Sequence, residues 1–494
     1  MRVLVIGLDG GTWDIYDHVI KKGWMPFLEK LKAESHCGIL MSTIPPFTIP
    51  AWASFATGKN PGKHGVFSFF KRDPKSYHMD ESGTFVSSKA LPKDKLWQLL
   101  SKAGKRMAAI NVPLTFPAEQ VNGIMITGML TPSKESNFVY PEELKAELDD
   151  YVIDLDFLKK DNRFNSEGLP DKEDILKKLE QLLESRLKTS LEIYAKEKWD
   201  FFMTVFTATD RLHHFYWDNL FSEKTDESGK FEPFFQKLDN ALRALISEHG
   251  DSGPVMIFSD HGFGKGPVRK FHFNAWLRKT GLLFDITSGK SKISLKNILL
   301  TLGKNESLRR LIPNKIKTSL KQNVQGERKN LIDWSLTKAY FVPMYANYGG
   351  IELNIKGLKS KGIVDSGSEK EELLEFIKKH LISIVNPENG ENLVKNVYRR
   401  SEIYLGPEAN RFPDLIFEID DTFVCSNSLV EEEFVSKIDN PHRRGEHRPE
   451  GMYLIHGDSE IIASDRGELH LPDITACILT YLDIQVPPDY DGKI

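Results

Sequence analysis

Pro254-Val255-Met256-Ile257-Phe258-Ser259-Asp260-His261-Gly262-Phe263-Gly264 decides how this chain is read. Four consecutive apolar residues describe a strand buried on both faces, and such strands belong to parallel sheets covered by helices. The run breaks into adjacent Asp260 and His261 in a glycine-rich turn, at the strand's carboxyl end, which is the edge where α/β folds bind ligands. Adjacent ligating groups after a buried strand are more specific than either group alone.

The pattern recurs along the 494 residues. Apolar runs at 2–8, 38–42, 107–112, 123–128, 201–207, 350–354, 414–419 and 451–455 read as further strands. Helices are expected at 24–34, 50–57, 94–103, 171–198, 231–249, 369–385 and 473–483. The alternation predicts an α/β fold with a mostly parallel central sheet and helices on both faces, as one domain over residues 1–494.

Several groups fall at strand ends. Ile6-Gly7-Leu8-Asp9-Gly10-Gly11 places a carboxylate there, although turns and caps also favour Asp. In Pro45-Pro46-Phe47-Thr48-Ile49-Pro50-Ala51-Trp52, Pro50 suits a first helical turn, so Thr48 reads either as a nucleophile at a helix N-terminus or as its N-cap. Asp210 and His214, four apart after the strand 201–207, share a face if a helix begins there and then converge on one cation; the rival reading is a cap and a surface histidine. His447, in Gly445-Glu446-His447-Arg448-Pro449, reads by itself as an exposed loop histidine. Together these are three carboxylates, three histidines and a hydroxyl on one expected edge, the inventory for two divalent metals and a nucleophile in displacement at phosphorus.

Composition narrows the function. Hydrophobic residues at 40% and charged residues at 28% exclude disordered, collagen-like and coiled-coil classes. A net charge of −4 offers no global attraction for nucleic acid or an anionic membrane. No stretch approaches the ~18 apolar residues of a membrane span, and the N-terminal apolar run stops at Asp9. Cys37, Cys425 and Cys477 are a sparse, odd set that suits a reducing cytoplasm. Residues 288–330 differ from the rest, with eleven Lys or Arg against two acidic residues. They read as a basic helical insertion, a cap over the site or a solvated excursion, and leave nucleic-acid binding open there. No oligomeric state is read from the sequence.

Asp9, the Thr48-x-Pro-Ala-Trp element continuing through Thr57-Gly58 to His64-Gly65, Asp210-x-x-x-His214, Ser259-Asp260-His261-Gly262 and Gly445-x-His447-Arg-Pro occur in one order. In this the chain resembles the alkaline phosphatase superfamily, and within it the type I phosphodiesterase and nucleotide pyrophosphatase group. The resemblance implies an alkaline-phosphatase-like fold and a two-metal phosphoric ester hydrolase acting on small phosphate esters, nucleotides among them. It also implies that Asp9, Thr48, Asp260 and His261 surround one metal, and that Asp210, His214 and His447 hold the other. Thr48 would form a phosphothreonyl intermediate. The N and O donors without thiolate fit Zn²⁺ first and Mn²⁺ second.

The chain departs from better-known relatives in having Pro50-Ala51-Trp52 where they carry Pro-Asn-His, and His213 where they carry Gly. Asn111 is a substitute for the phosphate-orienting amide, or a turn residue before Pro113. His64 and His213 read as structural. Monoester cleavage or phosphoryl transfer on the same fold is the alternative to diester cleavage, and Lys59, Lys63, Arg211, Lys265 and Arg269 all lie in site loops. A sulfatase lacks support because Thr48 stands at the nucleophile position. A non-catalytic metal-binding protein is the remaining alternative from another class.

Overall fold

Val3 and Val5 of the first strand point into one hydrophobic core, and Leu4, Ile6 and Leu8 into another, so this strand is covered on both faces. The computed structural model describes residues 1–77, 85–154, 172–224, 228–285, 331–438, 444–457 and 468–493. The basic segment 288–330 lies outside them. Among the described residues no helix is long and apolar enough to cross a membrane.

In chain order the strands are β1 (Val3–Leu8), β2 (His36–Met41), β3 (Met107–Val112), β4 (Gly123–Thr127), β5 (Val139–Tyr140), β6 (Phe201–Phe206), β7 (Val255–Phe258), β8 (Gly262–Lys265), β9 (Arg269–His272), β10 (Ala339–Pro343), β11 (Tyr348–Leu353), β12 (Val394–Arg399), β13 (Leu415–Ile419), β14 (Phe423–Ser426), β15 (Val435–Lys437), β16 (Gly445–Arg448), β17 (Glu450–His456) and β18 (Glu468–His470). The main sheet runs β18-β2-β17-β7-β1-β6-β3-β4-β5. The strands β7, β1, β6, β3 and β4 are parallel neighbours, while β17 and β5 run against theirs. Helices Trp13–Lys21, Pro26–Ala33, Lys172–Tyr194, Ala208–Leu220 and Glu232–His249 supply one core. Helices Thr48–Thr57, Leu96–Lys102 and Leu471–Tyr481 supply the other.

Two expected strands belong elsewhere. The runs 350–354 and 414–419 fall in β11 and β13, which pair antiparallel, Gly350 opposite Ile416, in a separate sheet ordered β10-β11-β13-β12. An apolar run reports burial but not which strand it pairs with, so a single sheet could not be told from two. The second sheet builds a third core with helices Phe273–Lys279 and Ser368–Ile382.

The register of the main sheet positions the chemistry. Leu8 of β1 is opposite Phe206 of β6, and Gly7 is opposite Phe258 of β7. Asp9, Asp210 and the Asp260-His261 pair therefore leave three adjacent parallel strands at one edge. Because β17 runs the other way, its beginning lies at that same edge, and the preceding β16 comes with it.

Candidate metal centre

Thr48 is the first residue of the helix Thr48–Thr57, and the N-cap position belongs to Phe47. Its hydroxyl caps nothing and lies 3.2 Å from His261 Nε2. Asp210 stands in the first turn of the helix Ala208–Leu220, with His214 one turn on. His214 Nε2 is 3.5 Å from Asp210 Oδ1. His447, expected in an exposed loop, is 2% exposed. The correction has a plain cause: Gly445–Arg448 pairs antiparallel with β8, His447 opposite Phe263, which lays the histidine over the strand ends.

His447 Nε2 lies 3.1 Å from Asp210 Oδ1 and 3.0 Å from His214 Nε2, and its ring stacks on His261 at 3.6 Å between centroids. His261 Nε2 is 3.7 Å from Asp9 Oδ1, 3.9 Å from Asp210 Oδ1 and 3.4 Å from Asp260 Oδ2. All seven residues singled out from the sequence as metal ligands or nucleophile thus meet in one buried cluster. Donor atoms of Asp210, His214 and His447, and of Asp9, Asp210 and His261, each converge within 4.8 Å.

The surroundings leave these donors aimed inward. Asp9 Oδ1 and Asp260 Oδ2 are buried without a hydrogen-bond partner. The other oxygens are tied back: Trp52 Nε1 donates to Asp9 Oδ2 at 3.4 Å, the Gly10 amide to Asp260 Oδ1 at 3.2 Å, and Arg211 to Asp210 Oδ2 at 2.8 Å. The ring nitrogens are tied likewise, with His214 Nδ1 3.0 Å from Gly445 O, His261 Nδ1 3.1 Å from Gly262 O and His447 Nδ1 3.1 Å from Pro46 O. With Nδ1 hydrogen-bonded to a carbonyl, each ring in its neutral form carries its hydrogen there and presents an Nε2 lone pair to the cluster. Gly10 has φ 67°, and a Cβ there would strike the Phe263 ring at 2.7 Å. That ring packs against His214, His447 and His213.

Burial, then repulsion from Asp260 and Asp210, pushes the Asp9 carboxyl well above its usual range. Asp260 is also held high, chiefly by burial. Burial would raise Asp210 too, but His214, Arg211 and His447 outweigh it and hold it well below the usual range. Burial, then the neighbouring His447, holds the His261 imidazole well below its usual range. Two buried carboxylates with orphaned oxygens and three imidazole lone pairs fit divalent cations, whose charge relieves the repulsion.

Other expectations resolve differently. His213 points its Nδ1 at Gly10 O, 3.0 Å away, and lies outside both donor groups. His64 is buried and bonded to Ser54 and to the Val66 amide. Asn111, next to last in β3, has φ 61° and directs its Nδ2 to Val205 O at 2.9 Å and toward Thr207 Oγ1 at 3.5 Å. Lys59 pairs with Asp94 and Asp489, Lys63 with Asp491 and Arg269 with Glu388, whereas Arg211 meets the cluster. Trp52 and Tyr345 were not singled out from the sequence. Trp52 was visible as a departure from the family pattern, and Tyr345 only as an aromatic in the turn before Gly349-Gly350.

A family model described as type I phosphodiesterase / nucleotide pyrophosphatase matches residues 3–447. The fold is similar to phosphonoacetate hydrolase from Sinorhizobium meliloti 1021 in complex with phosphonoacetate, at TM-score 0.59 and 14% identity, covering 98% of this chain and 96% of that one. It is also similar to murine ectonucleotide pyrophosphatase / phosphodiesterase 5, at TM-score 0.52 and 13% identity, covering 100% and 98%. An inactive form of the murine protein in complex with AMP matches at TM-score 0.51 and 12% identity, covering 100% and 97%. No curated protein matches the sequence. With 445 of its 494 residues inside the family model, counting from 3 to 447, the chain belongs to the type I phosphodiesterase / nucleotide pyrophosphatase family and is a phosphoester hydrolase of that type.

Proposed function

We propose that this protein cleaves phosphodiesters or nucleotide pyrophosphates through Thr48, with two divalent metals held by Asp9, Thr48, Asp260 and His261 on one side and Asp210, His214 and His447 on the other. The observation that carries the reading is the Thr48 hydroxyl, 3.2 Å from His261 within a buried nest of three carboxylates and three imidazoles. When bound, the metals would lower the pKa of the Thr48 hydroxyl and neutralise charge developing at phosphorus. The donor set, without thiolate, favours Zn²⁺ and then Mn²⁺.

Thr48 Oγ1 forms the bond to phosphorus as the bond to the leaving-group oxygen breaks, and the hydroxyl proton passes to that oxygen or to solvent water as the leaving group departs. Water then cleaves the Thr48 phosphoryl ester and restores the hydroxyl. The cluster orients Thr48 from the first turn of its helix, so little side-chain freedom is lost on attack. Phe47, Phe69 and Tyr345 form an aromatic wall beside Thr48, with ring centroids 4.8 Å and 4.4 Å from that of Phe47. Arg211 is already paired with Asp210. An apolar wall and a neutralised cation support an ester with an organic substituent over a dianionic monoester, and nucleotides fit that class. Cys37, Cys425 and Cys477 form no disulfide among the described residues, which supports a reducing compartment.

The test compares bis-p-nitrophenyl phosphate with p-nitrophenyl phosphate in metal-loaded protein. Faster diester cleavage agrees with the proposal; faster monoester cleavage contradicts its substrate class.

A further inference from the structure

The helix Ala208–Leu220 presents two pairs of residues four apart, one row beside the other on its surface. Asp210 and His214 form the row whose donors enter the cluster. Thr209 and His213 form the second row, are fully buried, and both reach the main chain that follows β1. Thr209 Oγ1 lies 2.6 Å from Asp9 O and 2.9 Å from Phe206 O, so its one hydrogen is shared between two strand ends. His213 Nδ1 lies 3.0 Å from Gly10 O. A carbonyl only accepts, so the neutral ring carries its hydrogen on Nδ1, and Nε2 has no hydrogen-bond partner among the described residues.

The main chain they reach is one that does not hold itself. Asp9 is followed by Gly10 and Gly11, and Gly10 takes φ 67°. Glycine loses more conformational freedom on ordering than any other residue, so two in succession set the direction of a neighbouring carboxylate only where their backbone is tied. Here three consecutive carbonyls are tied by side chains: Asp9 O by Thr209, Gly10 O by His213, and Gly11 O by Ser259 Oγ at 2.7 Å. The Gly10 amide, in the same peptide unit as Asp9 O, donates to Asp260 Oδ1 at 3.2 Å. A shift of this turn therefore disturbs two carboxylates together. They are the two whose remaining buried oxygens, Asp9 Oδ1 and Asp260 Oδ2, have no hydrogen-bond partner.

We infer that Thr209 and His213 are positioning residues for the metal on the Asp9 and Asp260 side, Thr209 by holding Asp9 O and His213 by holding Gly10 O. The inference deepens the proposed function and rests on it. Neither side chain belongs to a converging donor group, so both act through the turn. The helix that supplies two ligands of one metal thereby also sets the ligands of the other.

The test is a Co²⁺ titration followed by visible absorption, with competition against a chromogenic chelator for affinities and melting of the metal-free protein alongside. His213→Phe keeps a ring against Phe263 and removes the donor, whereas His213→Asn keeps an N–H near the place of Nδ1. Thr209→Val removes the other donor with little change of shape, and is read independently if the phenylalanine variant does not fold. The expected result is one Co²⁺ of two held roughly tenfold more weakly in His213→Phe and in Thr209→Val, with recovery to within roughly threefold of wild type in His213→Asn. The weakened Co²⁺ should be the one whose absorption persists in His447→Ala. Wild-type affinities at both sites, with only the melting temperature of the metal-free protein lowered, would overturn the inference and make these side chains supports of the fold alone. Weakening confined to the Co²⁺ lost in His447→Ala would overturn it too. Wild-type protein that binds no Co²⁺ would overturn the proposed function, and the inference with it.

Discussion

His214 Nε2 and His447 Nε2 face each other at 3.0 Å, while the opposite nitrogen of each ring is turned to a main-chain carbonyl. Two lone pairs aimed at one point repel unless a proton or a cation lies between them, and Asp210 Oδ1 completes the set 3.1 Å from His447. Chelator-treated protein should therefore melt several degrees lower than protein with Zn²⁺ or Mn²⁺ restored, since a ligand at 100 times its Kd adds about 2.7 kcal/mol. His447→Ala should remove one of two bound metals. Equal melting temperatures with and without metal would contradict this.

Thr48→Ala should retain metal and fold while losing diester cleavage by about 10³-fold or more. Thr48→Ser should keep a measurable fraction of the rate, because it keeps a hydroxyl at the first helical position. Full activity in Thr48→Ala would assign the nucleophile elsewhere.

Trp52 acts on Asp9 from behind. It is fully buried and aims its indole N–H at Asp9 Oδ2, and a Cβ on Gly7 would approach its ring at 2.8 Å. Trp52→Phe should weaken metal binding by roughly tenfold through the loosened carboxylate. It should also cost roughly 2 kcal/mol of stability from the space left behind. Competition with a chromogenic chelator and thermal melts measure the two effects separately.

His64 is the clearest source of pH dependence in stability. Its Nδ1 accepts from the Val66 amide at 3.1 Å, so Nε2 carries the hydrogen facing Ser54 Oγ at 3.0 Å, and a second proton would face the amide. Burial lowers its pKa from 6.5 to about 3. The unfolded chain binds this proton more readily, so stability is intact above pH 6.5 and falls between pH 6.5 and about pH 3. The loss is on the order of 5 kcal/mol. His64→Gln should flatten urea-derived stability over that window relative to wild type, and parallel curves would refute the assignment.

The parallel core was legible because a strand buried on both faces writes itself as an unbroken apolar run, as in Val255–Phe258 and Phe201–Phe206. The site was legible for a related reason. Asp9, Asp260 and His261 lie just after such runs and Asp210 in the helical turn that follows one, so finding the strands located the edge. His447 was assigned its place only by the family pattern, since its burial depends on pairing with Phe263 and nothing local in Gly445–Arg448 reports that partner. The second sheet was read as part of the first because β11 and β13 show their burial in sequence but not their pairing. Tyr345 was missed for the same reason: its place beside Phe47 and His447 depends on where the β10–β11 turn lands.

Thr48 as the nucleophile of a metal-dependent diesterase is tested by intact-protein mass spectrometry of rapidly quenched turnover of bis-p-nitrophenyl phosphate by metal-loaded enzyme. The expected result is a transient adduct of one p-nitrophenyl phosphoryl group mapping to Thr48, absent from Thr48→Ala and from chelated protein. Undiminished diester turnover by Thr48→Ala, or an adduct on another residue, would contradict it.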